Sequence, residues 1–189
     1  MRVIAGACKG RRLFSPDNRN IRPTSDKVKE AIFSMAGGLV PGAVVLDLFA
    51  GTGSLGLEAL SRGAEHCIFC DYSAESLAIA RKNIAYCHME GRSTLMMGSF
   101  EKTLPRLQGK AKVDVVLLDP PYRNEFYVKC ILLLEELGIL ADGGAVIAEH
   151  DAKMPLPCVI GGFAKTKEKK YGGIGVTFFE KNPPEGGVS

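Results

Sequence analysis

Three aspartates set what chemistry this chain could do: Asp47 in VVLDLFAGTGSLG, Asp71 closing HCIFCD, and Asp119 between VVLL and PPY. Asp119 is the most constrained of them. Proline fixes its own φ, has no N–H, and pushes the residue before it toward extended geometry. The run Asp119-Pro120-Pro121 therefore holds its carboxylate on a turn that cannot relax. A rigid carboxylate beside a backbone carbonyl can accept hydrogen bonds from both N–H groups of an amine conjugated to a heteroaromatic ring. That draws the nitrogen toward sp³ and aims its lone pair at an electrophile, a contribution of orientation and preorganised charge. Tyr122 offers a face on which such a base would stack, once it is unstacked or flipped from its helix. On its own the stretch reads equally well as a stiff loop with a solvated Asp.

The first glycine-rich turn bears on that choice. Gly51, Gly53 and Gly56 follow a strand and open a helix, where glycine lets backbone N–H groups approach a ligand closely. The spacing would suit a dinucleotide. Asp47 argues otherwise, because a carboxylate at the strand end repels a pyrophosphate and suits a cation. S-adenosylmethionine has an amine and a sulfonium and no phosphate. Asp71, at the end of the second strand, can accept both ribose hydroxyls of an adenosine; its alternative reading is an acid at the start of the next helix. Gly98-Ser99-Phe100, after the third strand, marks where an adenine would lie, with Ser99 and Phe100 beside it. Thr52, Phe49 and Tyr72, next to these positions, complete the expected cofactor set.

The elements that must position these residues alternate. Val28, Ala31, Ile32 and Met35 recur at helical spacing over 26–36, with Gly37-Gly38 as a stop. Strands are expected at 43–49, 66–71, 93–97, 113–119 and 145–150, with helices at about 54–62, from Ser73 to about 88, and at about 125–137. Strands alternating with helices imply right-handed crossovers and a mostly parallel sheet. The pattern then changes: 157–163 and 175–181 read as an antiparallel hairpin joined by the basic loop KTKEKKYGG. The expected fold is an α/β, Rossmann-like sheet of seven strands with that hairpin at its end. Residues 1–24 read as a basic hairpin arm and linker, 25–181 as the main domain, and 182–189 as a disordered tail.

Length and composition fit one globular enzyme domain: 189 residues, 46% hydrophobic and 24% charged. No apolar run approaches the ~20 residues of a membrane span, and the N-terminus lacks the apolar core of a signal peptide. The protein is expected in the cytosol, with its six cysteines as reduced thiols. Cys67 and Cys70 lie three apart in a strand, so they face opposite ways and cannot share a metal ion; no metal is expected. His66, His88 and His150 read as surface or edge residues. Charge is uneven: residues 1–30 carry eight Lys or Arg against three acids, a net +5, inside a total of +3. A basic arm on a mildly acidic body suggests a polyanionic partner, against the alternative of a solvated tail.

Taken together, MRVIAG and KGRRL, RPTSDKVKEAIF (22–33), LDLFAGTGSLGLEALSRGA (46–64) and LLDPPY resemble the RsmD family of class I S-adenosylmethionine-dependent methyltransferases. The resemblance runs over about residues 1–181. It implies methyl transfer to the N2 amine of one guanine in bacterial small-subunit ribosomal RNA, in a partly or fully assembled subunit. By position, Asp47 and the Gly51–Gly53 loop would hold the methionine part of the cofactor and Asp71 the ribose. Asp119, Pro120, Pro121 and Tyr122 would hold the target amine. It raises the arm to an RNA contact, with Arg2, Lys9, Arg11, Arg12 and Arg22 as phosphate partners, and residues 168–173 as an open second case. A monomer is expected. Ser99 departs from the Asp or Asn more common in relatives. Rival readings are a DNA adenine or cytosine amino-methyltransferase, which needs a target-recognition segment this length leaves little room for, and a non-catalytic RNA-binding assembly factor on the same fold.

Overall fold

Strand β1 (Val44–Asp47) is short, apolar and central to the sheet that organises the molecule. The computed structural model describes residues 1–16, 25–110, 112–120 and 124–181. Expectations placed on Arg22, Pro121, Tyr122, most of the linker and the tail fall outside those residues. Helix α1 (Asp26–Ala36) precedes β1, and Ser25 caps it by accepting the Val28 N–H. The alternation follows as α2 (Ser54–Ser61), β2 (His66–Asp71), α3 (Ala74–Tyr86), β3 (Ser93–Met97), α4 (Phe100–Thr103), β4 (Val113–Leu118), α5 (Asn124–Glu136) and β5 (Leu140–Asp151). Three strands end it: β6 (Val159–Ile160), β7 (Phe163–Tyr171) and β8 (Ile174–Lys181).

The sheet order is β3-β2-β1-β4-β5-β8-β7-β6. The first five strands are parallel, and β8 runs antiparallel between β5 and β7. Helices cover both faces, which is why the strands read as continuous apolar runs. Val45, Cys67, Phe69 and Leu117 pack toward α1 and α2, while Leu46, Ile68, Cys70 and Leu118 pack toward α4 and α5. Cys67 and Cys70 thus face opposite sides, as their spacing predicted. Among the described residues, no helix is long and apolar enough to cross a membrane.

Three expectations need correction. The sheet has eight strands, not seven, because the expected basic loop is itself a strand. Lysines replace the usual alternation there, and β6 pairs only with Phe163 and Ala164, so β7 has an open edge along most of its length. Lysine on such an edge is a common defence against pairing with another chain, and it hides the strand from a hydrophobic reading. The expected strand at 157–163 shrinks to β6, and β5 begins at Leu140 instead of 145. His150 is neither surface nor edge. The inserted β8 covers it, Thr177 Oγ1 lies 2.8 Å from its Nε2, and Gly175 leaves it room: a Cβ there would sit 2.4 Å from the ring.

The arm is a hairpin reduced to one bridge, Arg2 opposite Arg12, with the Val3 N–H donating to Arg11 O at 3.0 Å. Val3, Cys8 and Leu13 are buried in the same core as α1 and α2. On α2, Glu58 accepts the Ile4 and Ala5 N–H groups and Ser61 Oγ accepts the Cys8 N–H, so the arm is fastened along its length.

Candidate active site

Register places the acids. Asp47 pairs with Phe69 on one side and Leu117 on the other. Asp71 and Asp119 therefore stand two residues further out than Asp47, flanking it, and the glycine turn after β1 occupies the space between them. This lies where the chain order of strands reverses, the crevice in which open α/β sheets bind ligands.

The turn is built from backbone contacts. Gly51 (φ +53°) and Gly53 (φ +80°) adopt the left-handed region that other residues avoid. The space where a Gly51 Cβ would stand is open, with nothing within 4 Å. Gly56 has a different role, since a Cβ there would lie 2.3 Å from the Phe69 ring. It lets α2 pack tightly on β2, leaving the first two glycines to shape the cradle.

Each acid is held. Asp47 is 2% exposed, and its Oδ2 accepts the Gly56 N–H at 2.8 Å. Burial pushes its carboxyl up to about 7, and the charges of Asp119 and Asp71 push the same way. Asp71 accepts the Gly51 N–H at 2.7 Å through one oxygen and the Ser73 N–H at 2.8 Å through the other. It therefore ties the glycine turn to the start of α3: the contact with α3 is its alternative sequence reading, while the bond to Gly51 was not foreseen. A carboxylate has about four acceptor sites, so two bonds leave room for a ligand's hydroxyls. Asp119 is half-buried just beyond β4 and Pro120 behind it is buried; burial raises the Asp119 carboxyl to about 6.

The remaining expected residues spread around this centre. Phe49 is half-buried and its ring lies 6.1 Å from that of buried Phe100, which in turn lies 6.1 Å from Phe126 on α5. Phe126 was missed; it joins the glycine turn and the start of α5 through a chain of tilted and edge-on ring contacts. Ser99 stands at the N-terminus of α4, where its side chain makes no capping bond. Tyr72 is 70% exposed, at the rim. Behind the fourth-strand turn, the Tyr127 hydroxyl donates to Glu149 O, bracing the first turn of α5.

The basic residues differ among themselves. Arg2 Nε donates to Asp26 at 2.8 Å, and Arg11 donates to the Tyr86 carbonyl and lies over the Tyr86 ring. Lys9 and Arg12 are exposed. Two more buried polar groups, Lys29 and Asn83, were not anticipated as parts of the site, since a polar residue within a helix reads first as part of a solvated face.

Many nucleotide-binding sheets place a glycine turn after their first strand. What separates this one is β8, wedged antiparallel between β5 and β7, the arrangement that makes the chain a class I methyltransferase. A family model described as Conserved hypothetical protein 95 matches residues 1–180, and the chain belongs to that family, the RsmD family. It is 38% identical over 185 residues to a Bacillus subtilis protein named provisionally as the rRNA methyltransferase YlbH, covering 96% of this chain and 99% of that one. It is 31% identical over 181 residues to the ribosomal RNA small subunit methyltransferase D of Escherichia coli, covering 96% and 90%. A solved Escherichia coli structure, given provisionally as the methyltransferase yhhF, superposes with a TM-score of 0.85 at 31% identity, covering 96% of this chain and 98% of that one.

Proposed function

We propose that this enzyme moves a methyl group from S-adenosylmethionine to the exocyclic N2 amine of a guanine in the 16S ribosomal RNA of the small subunit. The observation that carries the reading is the trio of carboxylates, Asp47, Asp71 and Asp119, around an open glycine cradle. Three acids around one cradle suit a cationic ligand and oppose a phosphate, and the charges of Asp119 and Asp71 add to the burial that raises the Asp47 pKa. When bound, S-adenosylmethionine supplies an electrophilic methyl on a sulfonium. Asp47 and Gly51, Thr52 and Gly53 would face its methionine part and Asp71 its ribose. Phe49, Tyr72, Ser99 and Phe100 would border its adenosine.

Asp119 would accept the N–H bonds of the guanine amine, with Pro120, Pro121 and Tyr122 fixing and stacking the flipped base. So held, the amine lone pair would be aimed at the sulfonium methyl; transfer would release S-adenosylhomocysteine, and the surplus proton on nitrogen would pass to solvent. No strong general base is needed, and Asp119 acts by orienting. Exposed Lys9 and Arg12 favour phosphate contacts from the arm, with Arg2, Arg11 and Arg22 as neighbours in the same basic stretch. The names of the relatives support small-subunit rRNA as partner; we extend this to an assembled or assembling 30S subunit as substrate and to a cytoplasmic monomer as the enzyme.

The test is methyl transfer from labelled cofactor to small subunits from cells lacking this protein, with the modified nucleoside identified. N2-methylguanosine is expected; label on another nucleoside, or none, overturns the reading. In the same assay Asp119→Ala should lower the single-turnover rate by at least ~10²-fold while cofactor affinity stays within a few-fold, as for loss of one preorganised polar group. Asp119→Asn should be milder, since its carbonyl still accepts one bond.

A further inference from the structure

Two buried polar side chains reach from opposite ends of the N-terminal arm to the glycine turn. On α3, Asn83 is fully buried; its Nδ2 donates to Phe14 O at 3.0 Å and to Thr52 O at 2.9 Å, and its Oδ1 accepts the Phe14 N–H at 2.7 Å. Three partners fix the orientation of the amide. On α1, Lys29 is equally buried; its Nζ donates to Arg2 O and to Ser54 Oγ at 3.1 Å, with Glu58 3.8 Å away. Met1 adds a third link, its Sδ lying 4.0 Å from Thr52 Oγ1. Residues 52 and 54 of the cradle are thus each bound to the arm, one through its exit and the other through its entry.

Anchoring the arm does not require this. Glu58 and Ser61 already hold residues 4 to 8 on α2 through side chains that make no bond to residues 51–54. Burying a lysine works against its charge, and burial does lower the Lys29 pKa despite Glu58. A charged group kept there at that cost, with its ammonium on Ser54, acts on the turn as well as on the arm.

The geometry points to Asn83 and Lys29 as positioning residues through which the arm sets the cofactor turn, so that the arm belongs to the cofactor site as well as to the RNA surface. This rests on the reading of Gly51–Gly53 as the cofactor turn. Because coupling between sites is reciprocal, a ligand seated on the turn tightens the arm, and an arm held by RNA pre-forms the turn.

The experiment compares affinity for S-adenosylhomocysteine, by calorimetry, in Asn83→Ala, Lys29→Met and Ser61→Ala. Ser61→Ala loosens the arm from α2 without touching the turn. The first two variants should bind about tenfold more weakly, the scale of removing one or two buried hydrogen bonds, and Ser61→Ala should match wild type. With cofactor saturating, turnover of the first two should return toward wild type, so that the defect lies in KM. Equal affinity in all three, or an equal loss in Ser61→Ala, overturns the assignment. Amide exchange on the wild-type protein decides it should a variant fail to fold: S-adenosylhomocysteine should slow exchange at the Phe14 N–H, and an unchanged rate overturns the coupling. No binding to wild type at all would remove the cofactor reading, and the clamp with it.

Discussion

Asp47 holds its proton up to about pH 7 in the folded chain, against about 3.8 for an ordinary aspartate, because burial penalises its charge first and its acidic neighbours add to that. The sign follows. Between those two values the folded state binds a proton the unfolded chain has released, so Asp47 contributes stability at low pH that is lost as pH rises through about 7. Asp119 works the same way over a window ending near 6. Asp47→Asn should therefore flatten the decline in Tm between about pH 5 and pH 8, measured without ligand. A cationic ligand reverses the preference, so S-adenosylmethionine should bind with proton release near neutral pH. Calorimetry in two buffers of different ionisation enthalpy would detect it; equal heats would separate Asp47 from the cation. The three acids were legible in the sequence because each ends an apolar run at a turn. Asn83 and Lys29 were not, for a polar residue within a helix looks the same buried or solvated until its partners, 25 to 69 residues away along the chain, are known.

At the level of elements, α2 sits on β2 through Gly56, whose missing Cβ would otherwise meet the Phe69 ring at 2.3 Å and the Cys67 sulfur at 2.7 Å. Gly56→Ala should destabilise the fold by about 1–3 kcal/mol, the usual range for overpacking, as a lower urea midpoint with unchanged slope. It should also weaken cofactor binding, since Asp47 accepts its bond from the Gly56 N–H and α2 cannot shift without moving it. The alternation of strands and helices could be read from 43 to 137 because β1, β2 and β4 are buried on both faces, while β3, at the edge, gives the weaker signal. It failed at 163–171, where KTKEKKY pairs on one side and meets solvent on the other, and where no apolar period survives to be seen.

Across the whole molecule, the basic arm is packed into the core at Val3, Cys8 and Leu13 while presenting Lys9 and Arg12 outward. Reversing Lys9 and Arg12 to Glu should weaken binding to the small subunit and lower its salt slope by roughly one for each phosphate that is no longer neutralised. An identical slope would mean that these two side chains meet only solvent. Arg11→Glu should cost stability too, because Arg11 spans to Tyr86. The position of β8 has another consequence, for the order in which the chain is made. Strand β5 must leave one side unpaired while residues 152–173 are synthesised, and β7 must wait beside it for a partner that is translated last of the three. The slot between them fits only residues 174–181, so the sheet can close only when that strand has cleared the ribosome. Until then two open strand edges stay available to other chains, and a chain stalled short of Ile174 would be a substrate for chaperones instead of an enzyme.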